Sequence, residues 1–247
     1  MSRSDSIFIG DPNSPPAPGP AAGGVITTSG DISPPQPIGT WVERTLLDVI
    51  DYADPRNPTV RKPVCIPGTL SGIAYGGALL YTVGTRWTTN SDIAWYEYLD
   101  ASAYDGVSAH LVDSLAFSNF WPHPVLVTGT NILVGRTQYS ATGDYNSGFL
   151  EAWTLNPAGK FVRLAQTKLN TAASLLISFG DALAVQETDG SLELFDASDA
   201  VSLQLLGHGS IPGCFWPDLN HADATISEGL WTPLGTYGVW HIPIGSQ

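Results

Sequence analysis

The stretch from Thr45 to Gly84 reads TLLDVIDYADPRNPTVRKPVCIPGTLSGIAYGGALLYTVG. Its aliphatic and β-branched runs have strand length, and they are separated by an Asp-Pro-Arg-Asn-Pro turn, a Pro-Gly break and a Gly-Gly hairpin. This pattern predicts four short strands and no helix. We interpret the stretch as one full repeat unit that the rest of the chain repeats more loosely.

The repeat is visible in glycines that precede strand-like residues at a nearly constant interval. Gly77, Gly129, Gly180 and Gly229 are separated by 52, 51 and 49 residues, and a backward step of 53 reaches Gly24. A second, looser series of strands follows these glycines, one in each unit: Leu46–Asp51, Trp95–Asp100, Leu150–Leu155, Leu192–Asp196 and Tyr237–Ile242.

A period near 50 residues with four strands per unit is typical of a β-propeller, in which neighbouring sheets bury their apolar faces against each other. A β-sandwich also has many short strands, but it does not impose a fixed step. The sequence therefore predicts an all-β fold, a β-propeller of four-stranded antiparallel blades with about five blade-like repeats. We expect no helix longer than two turns, and we expect Trp153 and Trp240, which occupy equivalent places, to pack between blades.

The N-terminal segment 1–40 differs in composition from the repeats in 41–247. It contains eight of the 19 prolines, together with many glycine, alanine and serine residues. This composition predicts an extended Pro/Gly-rich segment around one short strand at Gly24–Thr28.

The two ends of the repeat region predict an incomplete ring. The last unit ends at Gln247, one strand short of a full blade, and the prolines before Gly24 are unsuited to an inner strand because proline lacks the N–H donor. Ser6–Gly10 either adds to the final blade or remains from a preceding one. We therefore expect missing N-terminal blades or self-association through exposed apolar faces and strand edges.

The composition limits the possible partners. The chain has 10 Lys and Arg against 23 Asp and Glu, a formal net charge of −13, which argues against a nucleic acid ligand. The acidic surface either serves solubility or attracts cations and basic partners.

No run approaches 18 apolar residues, so no membrane span is predicted. The N-terminal apolar run is too short for a signal peptide, so either the protein stays inside the cell or the chain lacks its natural beginning.

The two cysteines each flank an Ile-Pro-Gly sequence, Cys65 before one and Cys214 after the other. They can pair if the two repeats are neighbours in space, and buried free thiols are the alternative.

The segment Leu47–Pro58, LDVIDYADPRNP, resembles the LVIVD repeat of bacterial propeller proteins. That repeat has an aliphatic strand, an Asp, two or three further residues and then Asp-Pro-x-Asn-Pro. Asp196–Asp199 keeps part of the pattern, and Asn156 with Pro157 keeps only the turn. The resemblance implies the C-terminal propeller portion of a larger secreted or surface-associated protein, a scaffold whose repeats share no catalytic residues.

The acidic residues of this motif have two interpretations. Asp48, Asp51 and Asp54 are either turn-capping residues or oxygen ligands of a calcium site. Asp54 and Asn57 each precede a proline, which favours a rigid turn, and the spacing of a calcium-binding loop is absent. We therefore predict turn capping and no metal.

The candidate site comes from a duplicated sequence, Phe120-Trp-Pro-His-Pro124 and Phe215-Trp-Pro-Asp-Leu-Asn-His221. Both copies precede the strand that leads into a hairpin glycine, and in a propeller this strand is nearest the axis. We therefore expect a ligand-binding site at one mouth of the channel, close to Asp223 and formed by Trp121, His123, Trp216, Asp218, Asn220 and His221. The alternative is that the tryptophans fill gaps between blades while the prolines end strands.

No catalytic motif occurs, so no catalytic residue and no cofactor is predicted. Two functional classes stay open. One is a non-catalytic scaffold or interaction module that binds a protein or a glycan at the channel face. The other is a propeller enzyme, a hydrolase or lyase that uses His and Asp at the channel mouth. A bound metal or a His–carboxylate pair at hydrogen-bond distance would favour the enzyme.

Overall fold

A computed structural model describes the chain over the ranges 2–10, 39–88, 94–117, 123–139, 145–210 and 219–245. The chain divides into two compact units, Met1–Cys65 and Ile66–Gln247. The predicted strand Gly24–Thr28 lies outside the described residues. The predicted boundary after residue 40 falls within a strand, Gly39–Leu47.

The first unit is built on strand β2. Strand β1, Ser2–Gly10, pairs antiparallel with β2, Gly39–Leu47, and β5, Val64–Ile66, lies on the other side of β2. Strands β3, Ile50–Asp51, and β4, Thr59–Val60, form a separate two-stranded hairpin between β2 and β5. The segment predicted to close the final blade is thus the end of β1, paired with β2.

The turn between β3 and β4 is capped by its own side chains, as the sequence predicts. Asp54 accepts hydrogen bonds from the backbone N–H of Arg56 at 3.0 Å and from the side chain of Asn57 at 2.8 Å. The bond from Asn57, followed by that from Arg56, holds the pKa of Asp54 below its usual value. Asp51 forms an ion pair with Arg61 at 2.7 Å. Asp51 and Asp54 are therefore used in the turn, and no metal-binding cluster occurs among the described residues.

The stretch 45–84 was predicted to form four short strands and no helix, but it contains all or part of six strands and a 3-10 turn at Tyr75–Gly77. These strands also belong to different sheets. Strand β5 pairs with β2, whereas β6, Thr69–Ala74, and β7, Leu79–Thr88, begin the next sheet. The predicted strand Leu46–Asp51 is also divided, because β2 ends at Leu47 and β3 starts at Ile50. The repeat unit that was read from the sequence therefore begins and ends at different residues from the sheets of the structure.

Within its described residues, the second unit contains four antiparallel sheets, each made of consecutive strands. Sheet I comprises β6, β7, β8 (Ala94–Tyr104) and β9 (Ala109–Phe117). Sheet II comprises β10 (Val125–Thr128), β11 (Asn131–Tyr139), β12 (Tyr145–Leu155) and β13 (Phe161–Leu169). Sheet III comprises β14 (Ala173–Phe179), β15 (Ala182–Glu187), β16 (Ser191–Asp196) and β17 (Gln204–Ser210). Sheet IV comprises β18 (Asp223–Thr225), β19 (Gly229–Pro233) and β20 (Val239–Ile242).

Helical structure within the described ranges is confined to three 3-10 turns of three residues each, Tyr75–Gly77, Leu219–His221 and Gly235–Tyr237. This confirms the expected absence of long helices for that part of the chain. None of the helices described is long and apolar enough to cross a membrane.

The glycine series has a conformational cause. Gly77, Gly129, Gly180 and Gly229 have φ values of 97°, 60°, 67° and 102°, in the region that favours glycine. Each lies at the connection between the first and second strand of its sheet. The period in the sequence is therefore the period of a backbone conformation that other residues adopt only with strain.

Successive sheets are joined through their first strands. Strand β6 contacts β10, β10 contacts β14, and β14 contacts β18. This is the arrangement of neighbouring blades in a β-propeller and confirms the predicted fold class.

The core lies between the sheets, because alternate residues of each strand point to opposite faces. Ile132 and Val134 pack against sheet I, whereas Leu133 packs against sheet III. In sheet III, Val185 faces sheet II and Ala184 faces sheet IV. Each of these sheets is therefore buried on both faces.

Both tryptophans that were predicted to pack between blades do so. Trp153 packs on the apolar cluster between sheets I and II, and Trp240 on the cluster between sheets III and IV. Their equivalent sequence positions thus correspond to equivalent structural positions.

Cys65 is an exposed free thiol rather than the buried one that the sequence suggested as the alternative to a disulfide. Cys214 lies outside the described residues.

Candidate functional site

Three of the six predicted site residues are in the described part of the chain: His123, Asn220 and His221. Trp121, Trp216 and Asp218 lie outside it. Two kinds of connection share one end of sheets I to III. They are the connection between the second and third strands and the connection that leads to the next sheet. We call this end the connection end, and the opposite end, with the series glycines, the hairpin end.

His123 is held in the interface between sheets I and II. Its backbone N–H donates to Glu97 Oε2 at 2.8 Å, and its ring Nδ1 lies 2.5 Å from the same oxygen. The imidazole lies 4.9 Å from the ring of Phe117, and its side chain is 1% exposed. With Nδ1–H donating to the carboxylate, Nε2 is an acceptor, and it has no hydrogen-bond partner in the structure.

Asn220 and His221 lie in the 3-10 turn that leads into sheet IV. Leu219, the first residue of the turn, is buried, whereas Asn220 and His221 are exposed. His123 lies on the connection into sheet II, so sheet III separates the two segments. Both segments lie at the connection end, but the described residues of the predicted site fall on two different interfaces.

An exposed row of side chains crosses sheet IV beside that turn. Asp223, Trp231 and His241 are direct neighbours across β18, β19 and β20, so their side chains share one face. The rings of Trp231 and His241 stack with centroids 3.8 Å apart at an interplanar angle of 13°. Trp231 is 45% exposed, and His241 Nε2 donates to the carbonyl oxygen of Glu228 at 2.8 Å. We call these three residues together with Asn220 and His221 the sheet IV surface, since β19 also contacts the turn.

A buried acidic residue recurs in the third strand of sheets I, II and III. Asp100, Glu151 and Glu193 each pair with the residue five positions beyond the series glycine of their sheet, and their exposed fractions are 0%, 1% and 4%. In sheet I the guanidinium of Arg86 and the hydroxyl of Ser114 bind Asp100. A buried carboxylate is costly unless it is paired, and here the pair neutralises it.

In sheet II the equivalent carboxylate has two arginine partners. Arg163 donates to Glu151 Oε1 at 2.9 Å, and Arg136 lies 3.5 Å from Oε2. The indole N–H of Trp153 also donates to Oε2 at 3.0 Å. Both oxygens of Glu151 are therefore satisfied.

Sheet III lacks this compensation. Asn170 donates to Glu193 Oε1 at 2.7 Å, but Oε2 has no hydrogen-bond partner. The position that Arg136 occupies in sheet II, two residues beyond the partner of the buried acid, is occupied by Glu187. Burial, and next the charge of Glu187, raise the pKa of Glu193 to about 7.

Glu187 also anchors the chain that enters sheet III. It accepts hydrogen bonds from the backbone N–H of Asn170 at 3.1 Å and of Thr171 at 2.7 Å, and from the hydroxyl of Ser191 at 3.1 Å. Glu97 accepts the N–H of His123 in the same way. A buried carboxylate thus anchors the connection on each side of sheet II.

These acidic residues were not identified from the sequence as a set, although a signal is present. The second series contains Leu-acid-aliphatic triplets at Leu99–Ala101, Leu150–Ala152 and Leu192–Leu194. An acidic residue between two apolar neighbours in a strand of period 2 usually indicates a solvated face. Here the other face packs against a second sheet, so the acid is buried.

An open groove of about 550 Å³ lies at the hairpin end, away from the predicted site. It is lined by Tyr75, Ala78, Leu79, Leu155, Asn156, Pro157 and Gly159. Tyr75 is 67% exposed and has a φ of 51°.

Comparison with known proteins supports the fold. A crystal structure of a protein from Lactobacillus plantarum matches with a TM-score of 0.50 and 14% identity, covering 83% of this chain and 62% of that one. Chaetomium thermophilum Sqt1, bound to the N-terminus of the ribosomal protein L10, matches with a TM-score of 0.45 and 18% identity over 82% of this chain and 56% of that one. The periplasmic gluconolactonase PpgL of Pseudomonas aeruginosa matches with a TM-score of 0.37 and 13% identity over 85% and 80%.

The chain spans less than two thirds of the length of the first two of these proteins. No protein-family model matches the sequence. No curated protein matches it either. At these identities the similarity concerns the fold, which is the β-propeller fold.

Proposed function

We propose that this chain is a non-catalytic interaction module that binds a protein or a glycan through the sheet IV surface. The observation that carries the proposal is the exposed stack of Trp231 on His241, with Asp223 beside it in register. An aromatic ring supplies a large contact area, and the neighbouring carboxylate and imidazole supply directional hydrogen bonds. The described polar groups between the sheets, by contrast, are largely used to bind one another and the backbone.

The predicted residues extend this surface along the chain. Asn220 and His221 are exposed beside the row, and Trp216 and Asp218 come shortly before them in the sequence. We propose that Trp216 and Asp218 contribute to the same site. Trp121, which precedes sheet II in the sequence, remains a predicted contributor to ligand binding. His123 fixes the connection into sheet II.

Binding is tested with two kinds of probe on the purified chain. Calorimetric titration with cello-, xylo- and chito-oligosaccharides tests the glycan ligand, and a displayed random-peptide library selected on the wild type tests the protein ligand. We expect one class to bind the wild type and to lose at least tenfold in affinity in Trp231→Ala and His241→Ala, since interface aromatics contribute ~2 kcal/mol or more.

Tyr75→Ala is the matched control, because Tyr75 is also an exposed aromatic residue but lies at the hairpin end. Its affinity should equal that of the wild type. Equal losses in Tyr75→Ala and Trp231→Ala, or a ligand whose affinity no change in the sheet IV surface alters, would contradict the proposal.

We further propose kinship with propellers of the LVIVD-repeat type and a secreted or cell-surface location. The supporting observation is the Asp54 turn, whose side-chain hydrogen bonds suit the Asp-Pro-x-Asn-Pro pattern of that repeat. Fractionation of the source cells with an antibody to the chain tests the location. Light scattering of the pure chain tests the self-association that an incomplete ring would cause.

A second function, acid–base catalysis in a propeller hydrolase or lyase, is favoured by the pair of Glu97 and His123. The Nδ1 to Oε2 distance of 2.5 Å and the unpartnered Nε2 are the arrangement of an oriented general base. The same carboxylate oxygen also binds the backbone N–H of His123, which is an anchoring role.

Hydrolysis of 4-nitrophenyl acetate separates these roles. General-base catalysis predicts a loss of roughly 10²- to 10⁴-fold in His123→Gln, with none in the exposed control His221→Gln. The interaction module predicts no histidine-dependent rate, together with reduced thermal stability in His123→Gln.

A further inference from the structure

The interface between sheets II and III contains a pair of buried acids that no described lysine or arginine neutralises. Glu187 is 0% exposed and Glu193 is 4% exposed, and both point from sheet III toward sheet II, on the face shared with Val185. Asp189, in the turn between β15 and β16, adds a third carboxyl group. Burial opposes its ionisation, but the hydrogen bonds from Ser191 hold the pKa of Asp189 below its usual value, so it stays charged.

The interface between sheets I and II has arginine partners for its buried acid, which the described residues at the interface between sheets II and III lack. Between sheets I and II the buried Glu151 is neutralised by Arg136 and Arg163. At the position equivalent to Arg136, sheet III has Glu187, an acid in place of a base. Two adjacent buried carboxyl groups ionise together only at high cost, so one of them keeps a proton.

The unpartnered oxygen indicates where this proton lies. Glu193 Oε2 is buried and has no donor, while the carboxyl group of Glu187 is its hydrogen-bonding neighbour. A protonated Glu193 donates an O–H to Glu187 and satisfies both groups, which removes the orphaned atom.

We propose that Glu187 and Glu193 share a single proton that holds sheets II and III together, so that loss of this proton weakens their interface. The pair is therefore a pH-sensitive contact built into the fold. The raised pKa of Glu193 agrees with this geometry and places the change near neutral pH. Asn170 and Thr171 lose their anchoring as the pair repels, because Glu187 binds both of their backbone N–H groups.

Groups from sheet III, from the connection between the sheets and from sheet II surround the pair. On sheet III they are Asp189 and Ser191, together with His208, which lies opposite Glu193 in the register of β16 and β17. The connection supplies Asn170 and Thr171. Of the described residues of sheet II, those on the facing side are apolar or uncharged: Leu133, Gly135, Thr137, Gly148, Leu150, Thr167 and Leu169. His208 is thus the one described histidine among these groups.

The sign of the effect follows from linkage. The folded pKa of Glu193, about 7, is above the ordinary value of 4.5, so the proton contributes stability fully below pH 4.5. This contribution is lost as the pH rises through about 7. Over that window the unfolding equilibrium constant should rise by up to about 300-fold relative to a variant without the titration.

The test is urea unfolding of the whole chain at several pH values from about 4.5 to 8.5. Glu193→Gln carries a permanent amide donor toward Glu187, so its stability relative to the wild type should increase steadily as the pH rises. Glu151→Gln is the matched control at the equivalent position, and relative to the wild type it should show no such increase. His208→Gln should keep the pH dependence of the wild type.

Loss of the pH dependence in His208→Gln, or parallel curves for the wild type and Glu193→Gln, would overturn the proposal. Infrared spectra of the wild type provide a second readout if a variant does not fold. We expect a buried carboxylic acid band that disappears as the pH rises through about 7. Its absence at about pH 5.5, well below that range, would equally refute a shared proton.

Discussion

Replacing Trp153 by alanine removes a large side chain that packs between sheets I and II. Its indole packs on the cluster that contains Tyr81, Leu99 and Ile132, and its N–H donates to Glu151 Oε2 at 3.0 Å. The substitution therefore creates a cavity between two sheets and removes one donor from a buried carboxylate.

The two losses have separable magnitudes. Deleting a large buried aromatic side chain costs ~3–5 kcal/mol of unfolding free energy. The hydrogen bond to the charged group accounts for about 1.5–3 kcal/mol of such a loss. Trp153→Phe keeps most of the packing and loses the donor, so it should cost about 1.5–3 kcal/mol, and Trp153→Ala about 3–5 kcal/mol.

Urea unfolding of the variants measures both values. Trp240→Ala, between sheets III and IV, should resemble Trp153→Ala, whereas Trp231→Ala should cost less than about 2 kcal/mol because much of its ring is already in water. Trp121→Ala and Trp216→Ala should resemble Trp231→Ala if these rings line a channel mouth. A loss at Trp153 no larger than at Trp231 would refute the inter-sheet role of Trp153.

The remaining predictions concern contacts between sheets. Gly148→Ala should destabilise the chain by more than about 2 kcal/mol, measured by thermal unfolding, because the added Cβ would lie 1.9 Å from the carbonyl oxygen of Thr171. Asp113→Ala should cost about 1–3 kcal/mol, since Asp113 accepts the backbone N–H of Phe161 at 2.9 Å and the ammonium of Lys160 at 2.8 Å across the interface of sheets I and II. Burial opposes the ionised form, but these bonds hold the pKa of Asp113 below its ordinary value of 3.8, so the stabilities of wild type and Asp113→Ala should converge as the pH falls below that value.

The fold was predictable because its period depends on local backbone geometry. A positive φ at Gly129 or Gly180 is a requirement of one hairpin, and glycine meets it without help from the rest of the chain. The offset of the 45–84 unit was not predictable, because the pairing of β5 with β2 rather than with its chain neighbours depends on distant strands.

The site was less predictable, for a reason that Glu151 and Glu193 illustrate. Both follow a leucine in a strand and are indistinguishable by pattern. Only the register shows that Arg136 lies beside one acid while Glu187 lies beside the other. Likewise, stacking of Trp231 on His241 depends on cross-strand pairing, which single-strand patterns do not contain.

Each sheet of the second unit is a meander of consecutive strands, and this order has a consequence for synthesis on the ribosome. Every sheet can pair internally as soon as its last strand emerges, without waiting for distant residues, which favours rapid local folding. The connection 170–172 is different, because its anchor Glu187 emerges later, at the end of β15. Sheets I and II should therefore fold on the nascent chain first. One face of sheet II should stay exposed until the first half of sheet III has been synthesised.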